Sequence, residues 1–393
     1  MSDDDLTELS RRKLIAGTGA AAGTLLAGCT GGGSKNGGTN GTDGGTTTDG
    51  GTTTDGGTTT SSGSYSVSME PMGSVEFDSV PETWVANNGS WADMGVALGL
   101  EPPKGVWMTS RYHTQYYNKI PGVSVDKSGM VSLYQDGVSK ERFYSLDGDV
   151  HVIDPNFLKN RFKGWKQSDI DEIRQNVGPF FGNSIFSQGY KWHKDYRYYS
   201  LYEAFGKLAE AFQRTKRYDA FSSLHEEFQS KLDSVVPSKK QKRPGVAIMW
   251  ANGNQPESFS PYLISEGTSF KQWRDLKVKD AFANTSVRDF HKTRGEVDFE
   301  TLLEIDPEVL LLRGYEQQTG KEFQNTVVSF MKNHNVASKL TAVKNGDVYR
   351  GGPLYQGPIT NLVVTERAAK QLYDASGKLF DRKRVANIVN GDF

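Results

Sequence analysis

The sequence predicts an α/β protein of two similar lobes with mainly parallel sheets, bridged by one long α-helix. The segment DFETLLEIDPEVLLLR (residues 298–313) aligns without gaps with SKERFYSLDGDVHVID (residues 139–154), so one acid-led helix-to-strand unit occurs twice. Strand-like and helix-like patterns alternate around both copies, as in βα units built on a parallel sheet. Between the copies, apolar residues recur at helical spacing through residues 217–237, which predicts a long helix.

The first 29 residues predict a twin-arginine lipoprotein signal. Arg11 and Arg12 precede a small-residue apolar run (residues 14–27), roughly half the ~20 residues that span a bilayer. Paired arginines at this place are typical of twin-arginine export. The LAGC sequence that ends at Cys29 resembles a lipobox, in which Cys29 becomes the lipidated first residue of the mature protein. The alternative is a plain signal peptide in which Cys29 has no role.

Residues 30–64 predict a disordered tether, because they consist of Gly, Thr, Asp and Ser with almost no apolar side chains. A Gly-rich tether of ~35 residues would have an r.m.s. reach of about 30–35 Å. Joined to a lipidated Cys29, it would hold a globular body away from the outer face of the cytoplasmic membrane. No long apolar run follows, so the lipid would be the sole anchor.

From Tyr65 onward the composition is that of a globular protein of about 330 residues, which is more than one core usually serves and predicts two domains. The formal net charge of the whole chain is −1. That balance gives no indication of nucleic-acid or anionic-membrane binding. Cys29 is the only cysteine, so intramolecular disulfides are excluded.

We assign residues 65–196 to an N-terminal α/β lobe. Short apolar runs bounded by turn residues predict its strands, and periodic polar and apolar residues predict its helices. In order, the elements are a strand at 83–89, a helix capped by Ser90, a strand at 105–110, the 139–154 unit and a helix that ends at Gly178-Pro179.

Residues 197–237 form a predicted helical section. Leu201, Phe205, Leu208 and Phe212 mark one face of its first helix. The second helix is stopped by Pro237 and would be roughly 30 Å long, the diameter of a small domain. A helix of this length between two sheet-forming halves predicts a bridge.

Residues 238–393 form the predicted C-terminal α/β lobe, in which the alternation begins again. In order, the elements are a strand at 245–250, helices at 269–276 and 277–283, the 298–313 unit, a helix at 327–334, a strand within 345–352 and a final helix at 359–375.

Several of these segments together resemble one family, the substrate-binding components of ABC importers for iron–siderophore chelates, cobalamin and haem. The resemblance extends from about Val80 to Phe393. The first-lobe segment matches more loosely, because Gly148 replaces the usual proline. The segments that carry the resemblance are VDFETLLEIDPEVLLL (297–312), AVKNGDVYRGG (342–352), TERAAKQLY (365–373) and the helix that ends in SVVP (234–237).

The resemblance implies two α/β lobes joined by one long helix, with a ligand cleft between the lobes. It implies a monomer that delivers its ligand to an ABC permease and its ATPase, with no chemistry on the ligand. A ferric siderophore is the expected ligand, with cobalamin or haem as alternatives, and no intrinsic cofactor is expected.

In the family, one glutamate at a helix start in each lobe forms salt bridges with permease arginines. By position these glutamates are Glu141 and Glu300. Symmetric charges on a two-lobed body suit fast, reversible docking to a two-fold transporter. The alternative is local: behind N-caps at Ser139 and Asp298, both acids stand in a first helical turn, where an acid is stabilised whatever the function.

Candidate ligand-binding residues follow the predicted strands, since ligands of open α/β sheets bind beyond the strands' carboxyl ends. A large metal chelate needs flat aromatic walls and cationic donors for its oxygens. Each aromatic could instead be ordinary packing. The neighbouring aromatic run 190–202 is expected to cover the bridging helix rather than reach the cleft. The candidates are Arg111, Tyr112, Trp250, Tyr262, Arg313 and Tyr355.

Other functions find little support in the sequence. The six histidines have no metal-ligand spacing and there is no second cysteine, so direct metal binding is not expected. No phosphate-binding GxxxxGK[ST] loop and no GxSxG nucleophile elbow occur, so we expect no enzyme. The remaining alternatives are a surface enzyme on the same scaffold and an interaction module without a small ligand.

Overall fold

The computed structural model describes residues 63–135, 137–188 and 190–393, and residues 63–393 form one compact unit. The predicted signal, with Arg11, Arg12 and Cys29, lies outside the described residues, as does the predicted tether up to residue 62. The described chain opens with an antiparallel hairpin of β1 (Tyr65–Met69) and β2 (Gly73–Phe77).

The first lobe is built on a four-stranded sheet whose paired strands are all parallel. The strands are β3 (Trp84–Ala86), β4 (Gly105–Val106), β5 (Val131–Ser132) and β6 (Val150–Val152), in the spatial order β5-β4-β3-β6. The helices are α1 (Gly89–Ala97), α2 (Lys140–Leu146), α3 (Pro155–Arg161) and α4 (Gln167–Asn176), with 3₁₀ turns at Thr109–Arg111 and Thr114–Lys119.

Two local predictions in this lobe were wrong. Asn88, not Ser90, caps α1, because Asn88 is extended and its side chain accepts a hydrogen bond from the Ser90 N–H at 2.9 Å. The strand predicted at 105–110 ends at Val106, after which the chain turns into the 3₁₀ turn.

The helical section contains α5 (Leu201–Ala211) and α6 (Thr215–Val235). Ser200 and Glu203 form a capping box at the start of α5. The 21 residues of α6 give it a length of about 30 Å. Its buried stripe consists of Phe221, Leu224, Phe228 and Leu232, so the predicted bridging helix is confirmed.

The second lobe is built on a five-stranded sheet. Its strands are β7 (Gly245–Trp250), β8 (Ser260–Tyr262), β9 (Lys279–Asp280), β10 (Val309–Arg313) and β11 (Val348–Arg350), in the order β11-β10-β7-β8 with β9 also on β7. Only β8 is antiparallel to its partner. The helix predicted at 277–283 was wrong: β9 lies there, and Asp280 accepts hydrogen bonds from the Ile264 and Phe282 N–H groups.

Short helices surround this sheet, and two long ones follow it. They are α7 (Lys271–Asp275), α8 (Phe290–Thr293), α9 (Phe299–Ile305), α10 (Gly320–Phe323), α11 (Ser329–Asn333), α12 (Thr341–Asn345), α13 (Pro358–Tyr373) and α14 (Arg382–Asn390). A π-helical turn (Gln324–Val328) precedes α11, and 3₁₀ turns lie at Lys240–Lys242, Thr268–Phe270 and Ala337–Lys339. The sequence predicted α13 as the last helix, but α14 follows it.

The predicted repeat of a helix-to-strand unit is confirmed in detail. Both α2 and α9 have seven residues and end at an aspartate in the left-handed conformation, Asp147 with φ 44° and Asp306 with φ 43°. Each of these aspartates donates its N–H to the carbonyl four residues earlier, and the chain then enters β6 or β10. The two lobes therefore contain the same local structure in matching positions.

The largest apolar cluster surrounds the bridging helix and is shared by both halves of the sequence. The α6 helix packs against α5, α13 and α14, and α13 also packs against α1. Asp93 of α1 accepts hydrogen bonds from the Ile359 and Thr360 N–H groups at the start of α13. The two lobes are thus joined through packed helices. No described helix is both long and apolar enough to span a membrane.

Candidate functional site: the cleft between the lobes

A cleft lies where the carboxyl edges of the two sheets meet, and its volume is about 160 Å³. This is the place at which open α/β sheets bind ligands. Because residues of both lobes form its walls, its width depends on how the lobes are arranged. The lining residues are Ser110, Arg111 and His113 from the first lobe and Trp250, Gly314, Glu316, Gln317, Gly352, Pro353 and Leu354 from the second.

Two predicted ligand residues, Arg111 and Trp250, face each other across this cleft. The guanidinium carbon of Arg111 lies 5.2 Å from the centre of the Trp250 ring, a cation–π contact. The Trp250 indole N–H donates to Asn252 Oδ1 at 2.9 Å, which fixes the ring at the end of β7. A cation and a flat aromatic surface are therefore present where the cleft opens.

His113 is a cleft residue that the sequence analysis did not select. Burial lowers its pKa to about 4, and the nearby cations Lys127, Arg111 and Arg367 act in the same direction, while Glu316 opposes them. The imidazole is therefore neutral at pH 7, and it can both donate and accept a hydrogen bond.

Two predicted tyrosines lie beside the cleft rather than in its wall. Tyr112 is only 2% exposed, and its hydroxyl lies 2.8 Å from the Tyr117 hydroxyl. Tyr355 directly follows the lining residue Leu354 and packs its ring edge-on against Phe186 at 5.4 Å. In this structure Tyr355 borders the cleft and Tyr112 is part of the core.

The other two predicted residues, Tyr262 and Arg313, lie inside the second lobe. The guanidinium of Arg313 is fully buried between the rings of Phe270 at 4.6 Å and Tyr262 at 5.6 Å, and it donates to the Ser269 carbonyl. Burial lowers the pKa of Arg313 to about 10. Because β8 is antiparallel to β7, Tyr262 pairs with Ile248, away from the carboxyl end of β7.

Glu316 lines the cleft as a buried, paired carboxylate that was not among the predicted site residues. Its carboxylate pairs with Arg367, Oε2 to Nη1 at 2.9 Å and Oε1 to Nη2 at 3.0 Å, and accepts from the Gly352 N–H at 3.0 Å. Burial alone would raise the pKa of Glu316, but Arg367 outweighs it and lowers the pKa to about 2. Its position three residues after the end of β10 was the only sequence signal.

Three hydrogen bonds around Glu316 join the lobes directly. The Tyr116 hydroxyl donates to Glu316 Oε2, and the Gln115 amide donates to the Glu316 carbonyl at 2.8 Å. The Gln317 amide donates to the Ser110 carbonyl at 3.1 Å. The lobes are therefore in contact, and the cleft is smaller than the roughly 300–1,000 Å³ of pockets that hold drug-sized ligands.

A cluster of aromatic rings at the carboxyl edge of the first sheet was also missed. Trp107 is the first residue after β4, and Tyr134 is the second residue after β5. Their rings stack with centroids 5.2 Å apart. Residues 190–192 pack against this cluster through Phe157, so the prediction that the run 190–202 covers the bridging helix was wrong for its first part. Tyr202 does lie on α6, where it stacks on His225 at 4.0 Å.

The two predicted docking acids occupy equivalent exposed positions. Glu141 and Glu300 stand in the first turns of α2 and α9. Hydrogen bonds from its own backbone N–H and from Ser139 lower the pKa of Glu141. Asp298 caps α9 by accepting from the Thr301 N–H at 2.8 Å, whereas the Ser139 side chain makes no such cap bond to α2. Both carboxylates are therefore open to solvent.

The described residues offer no evident place for a bare metal ion. Within them, no group of three or more His, Cys, Asp or Glu side chains gathers closely enough to hold one.

Solved structures with the same fold support this arrangement. A periplasmic binding protein from Veillonella parvula is 16% identical, with 80% of this chain and 99% of that chain covered and a TM-score of 0.54. The iron uptake ABC transporter substrate-binding protein PiuA from Streptococcus pneumoniae is 17% identical, with 78% of this chain and 98% of that chain covered and a TM-score of 0.53. The periplasmic catecholate-siderophore binding protein VctP from Vibrio cholerae is 16% identical, with 79% of this chain and 100% of that chain covered and a TM-score of 0.52. At these identities the likeness shows the fold.

Comparison with family models extends this result from fold to family. A search of curated proteins found no match. The model of the family described as periplasmic binding protein matches residues 85–354, well over half of the chain, and that range contains the bridging helix α6 and strands of both sheets. The resemblance drawn from the sequence is confirmed at this level, and the chain belongs to the periplasmic binding protein family.

Proposed function

We propose that this protein is the extracytoplasmic receptor of an ABC importer, which captures a ferric siderophore between its lobes and delivers it to the permease. The observation that carries the proposal is the pair of facing walls at the carboxyl edges of two parallel sheets, with Arg111 on one and Trp250 on the other. Cobalamin and haem are the alternative ligands for the same role.

The cleft chemistry suits a chelate whose metal is wrapped in oxygen donors. The Arg111 guanidinium can donate charge-assisted hydrogen bonds to those oxygens, and the Trp250 ring offers a flat apolar surface to the ligand backbone. Neutral His113 adds a hydrogen-bonding group that carries no charge at pH 7. We propose no chemistry on the ligand for any of these groups.

Capture requires the lobes to move apart, because a ferric chelate exceeds the present cleft of about 160 Å³. The contacts to be broken are the hydrogen bonds from Tyr116, Gln115 and Gln317 and the cation–π contact of Arg111. A hydrogen bond contributes about 0.5–1.5 kcal/mol net, so contacts with the ligand can compensate for this set. The stiff helix α6 limits the opening to a modest change.

Delivery is proposed to run through Glu141 and Glu300, which would pair with arginines of a two-fold permease. Their equivalent, exposed positions at the starts of α2 and α9 support this role. The lipid on Cys29 and the tether of residues 30–64 would hold the protein, as a monomer, close to that permease on the outer face of the cytoplasmic membrane.

A test of the capture step uses variants of the two facing residues. Arg111→Gln and Trp250→Leu should each weaken binding of a ferric chelate by at least about tenfold, since each removes a central contact. Arg174→Gln, which changes an exposed arginine of α4 outside the cleft lining, should bind like the parent protein. Unchanged affinity in both cleft variants, with folding confirmed by circular dichroism, would contradict the proposed site.

The narrow cleft favours a second candidate, an interaction module that binds no small ligand. The hydrogen bonds between the lobes and the small volume are the observations that support it. A binding titration distinguishes the two candidates. If the folded protein binds no ferric chelate, cobalamin or haem up to millimolar concentration, the interaction module is the correct function.

A further inference from the structure

A group of six aromatic side chains at the first-lobe edge of the cleft has no assigned role. We call it the aromatic platform. Its rings contact one another in two stacked pairs, Trp107 with Tyr134 at 5.2 Å and Tyr190 with Trp192 at 4.3 Å. Phe157 lies between the pairs, 5.1 Å from Trp107 and 6.2 Å from Tyr190. The members are Trp107, Tyr134, Phe157, Phe162, Tyr190 and Trp192.

Part of the platform is open to solvent. Trp107, Tyr134 and Phe157 are buried, but Phe162, Tyr190 and Trp192 are only half-buried and form its outer layer. Single exposed aromatic residues are common on protein surfaces, whereas contiguous ones mark binding sites more often. The platform therefore offers flat aromatic faces and edges to a ligand.

The same two segments that supply the outer rings also carry an excess of positive charge. Residues 159–166 contain four cations and no acid, and residues 190–197 contain three cations and one acid, although the whole chain is close to neutral. Cations close in sequence to half-buried aromatic rings at the surface favour a ligand that is both flat and anionic. The cations are Lys159, Arg161, Lys163, Lys166, Lys191, Lys194 and Arg197.

The platform is continuous with the cleft. Trp107 and Arg111 are the two ends of one five-residue loop, so the platform and the first-lobe wall of the cleft share a backbone segment. On the other side, Leu354 lines the cleft and belongs to the same apolar cluster as Trp107 and Phe157. A ligand held between Arg111 and Trp250 can therefore extend onto the platform.

We propose that the aromatic platform is a subsite for the aryl groups of an anionic chelate, so that the receptor prefers ferric tris-catecholates over ferric trihydroxamates. This inference rests on the proposed function. A ferric tris-catecholate carries net negative charge and exposes aryl rings, and both features match the platform. A ferric trihydroxamate is neutral and has no aryl group, so it would use only the cleft between Arg111 and Trp250.

The test compares both chelates on matched variants of the purified protein. Lys163→Gln/Lys191→Gln removes two exposed platform cations, and Trp192→Leu removes an outer ring while keeping apolar volume. Lys339→Gln/Lys344→Gln is the charge-matched control, because both lysines are exposed close to the amino ends of β10 and β11, opposite the cleft. Binding is measured by isothermal titration at low salt, with folding checked by thermal denaturation.

We expect each platform variant to weaken ferric tris-catecholate binding by about tenfold, with trihydroxamate binding and the control unchanged. A contrary result is that both chelates bind the parent protein while the platform variants leave the binding of both unchanged or weaken the binding of both equally. In that case the proposed subsite is wrong and the proposed function stands. If folded parent protein binds neither chelate, the proposed function itself fails. Basic aromatic surfaces can also contact anionic bilayers. Loss of binding to phosphatidylserine vesicles with chelate binding intact would make the platform a membrane contact and overturn the inference.

Discussion

Glu316 and Arg367 form a buried two-pronged ion pair that holds the loop after β10 against α13, with N–O distances of 2.9 and 3.0 Å. The same carboxylate accepts from Tyr116 of the first lobe, so the pair also positions the contact between the lobes. The positions of both cleft walls therefore depend on the Glu316 carboxylate.

Breaking this ion pair should destabilise the protein markedly. Arg367→Met leaves Glu316 as an uncompensated buried charge, and breaking such a pair costs about 3 kcal/mol or more. Glu316→Gln should cost less, because the amide can keep hydrogen bonds to its neighbours and the Arg367 side chain left behind is 22% exposed, against 2% for Glu316. Urea unfolding at pH 7 measures both; equal and small changes for the two variants would contradict the assigned role of the pair.

The ion pair also predicts a pH dependence. The pKa of Glu316 is lowered from 4.5 to about 2 in the folded state, so the unfolded state binds more protons between these values. The stabilisation is fully present above pH 4.5 and is lost as the pH falls towards 2. The Glu316→Gln variant should lack this part of the acid-induced loss of stability, as measured by urea unfolding between pH 5 and 3.

His151 should make the protein acid-sensitive at higher pH. Its ring lies 5.1 Å from the rings of both Phe143 and Phe180, and burial lowers its pKa from 6.5 to about 3. The unfolded state therefore takes up the proton first, so stability present above pH 6.5 is lost as the pH falls towards 3.

The variant His151→Phe removes this titration while keeping an aromatic ring against the same neighbours. It should raise the melting temperature at pH 5 relative to the parent protein more than it does at pH 7.5. Thermal denaturation at the two values measures the difference. An identical offset at both pH values would show that His151 does not titrate on unfolding in this range.

Asp93 should give the stability of the protein the opposite pH dependence to that given by His151. It caps the start of α13 by accepting from the Ile359 and Thr360 N–H groups at 3.0 and 3.1 Å, and burial raises its pKa from 3.8 to about 6. A raised carboxyl pKa gives stability that is fully present below pH 3.8 and is lost as the pH rises through 6.

Replacement of Asp93 separates the cap from the charge. Asp93→Ala leaves helix N–H groups without a partner and should cost about 2 kcal/mol. Asp93→Asn keeps one acceptor and avoids a buried charge, so at pH 7.5 it should cost less than Asp93→Ala. Chemical unfolding ranks the two variants, and an Asn variant less stable than the Ala variant would contradict the cap.

The docking acids are tested by charge reversal with a control on the same helix. Glu300→Lys should abolish transport or stimulation of the permease's ATPase while leaving chelate affinity unchanged, and Glu141→Lys should do the same. Glu304→Lys changes a second exposed acid of α9 and should have little effect on transport. Equal loss of transport in Glu300→Lys and Glu304→Lys would mean that general charge, not a docking contact, is involved.

Sequence reasoning located the cleft because strand ends are visible as a change from apolar runs to turn residues. Arg111 and Trp250 were found in this way. Arg313 also ends a strand, but the side on which its guanidinium packs depends on the turn Thr268–Phe270, which is distant in sequence. Tyr262 was misplaced because the antiparallel direction of β8 is set by pairing with β7 and leaves no local pattern.

The platform was missed for a related reason. The run at 105–110 was interpreted as one strand, which made Trp107 an interior strand residue, whereas the structure ends β4 at Val106 and places Trp107 at the sheet edge. The capping residue Asn88 was missed because several neighbouring residues, including Ser90, are equally suited to a cap by composition.

The central claim, capture of a metal chelate between the lobes, is tested most directly by titrating the purified protein with ferric tris-catecholate, ferric trihydroxamate, cobalamin and haem while tryptophan fluorescence is recorded. Trp250 lines the cleft, so a bound ferric chelate should quench its emission. We predict saturable quenching by a ferric chelate at micromolar concentration or below, and its reduction in Trp250→Leu. Folded protein whose emission and heat of binding stay unchanged with every ligand would contradict the account.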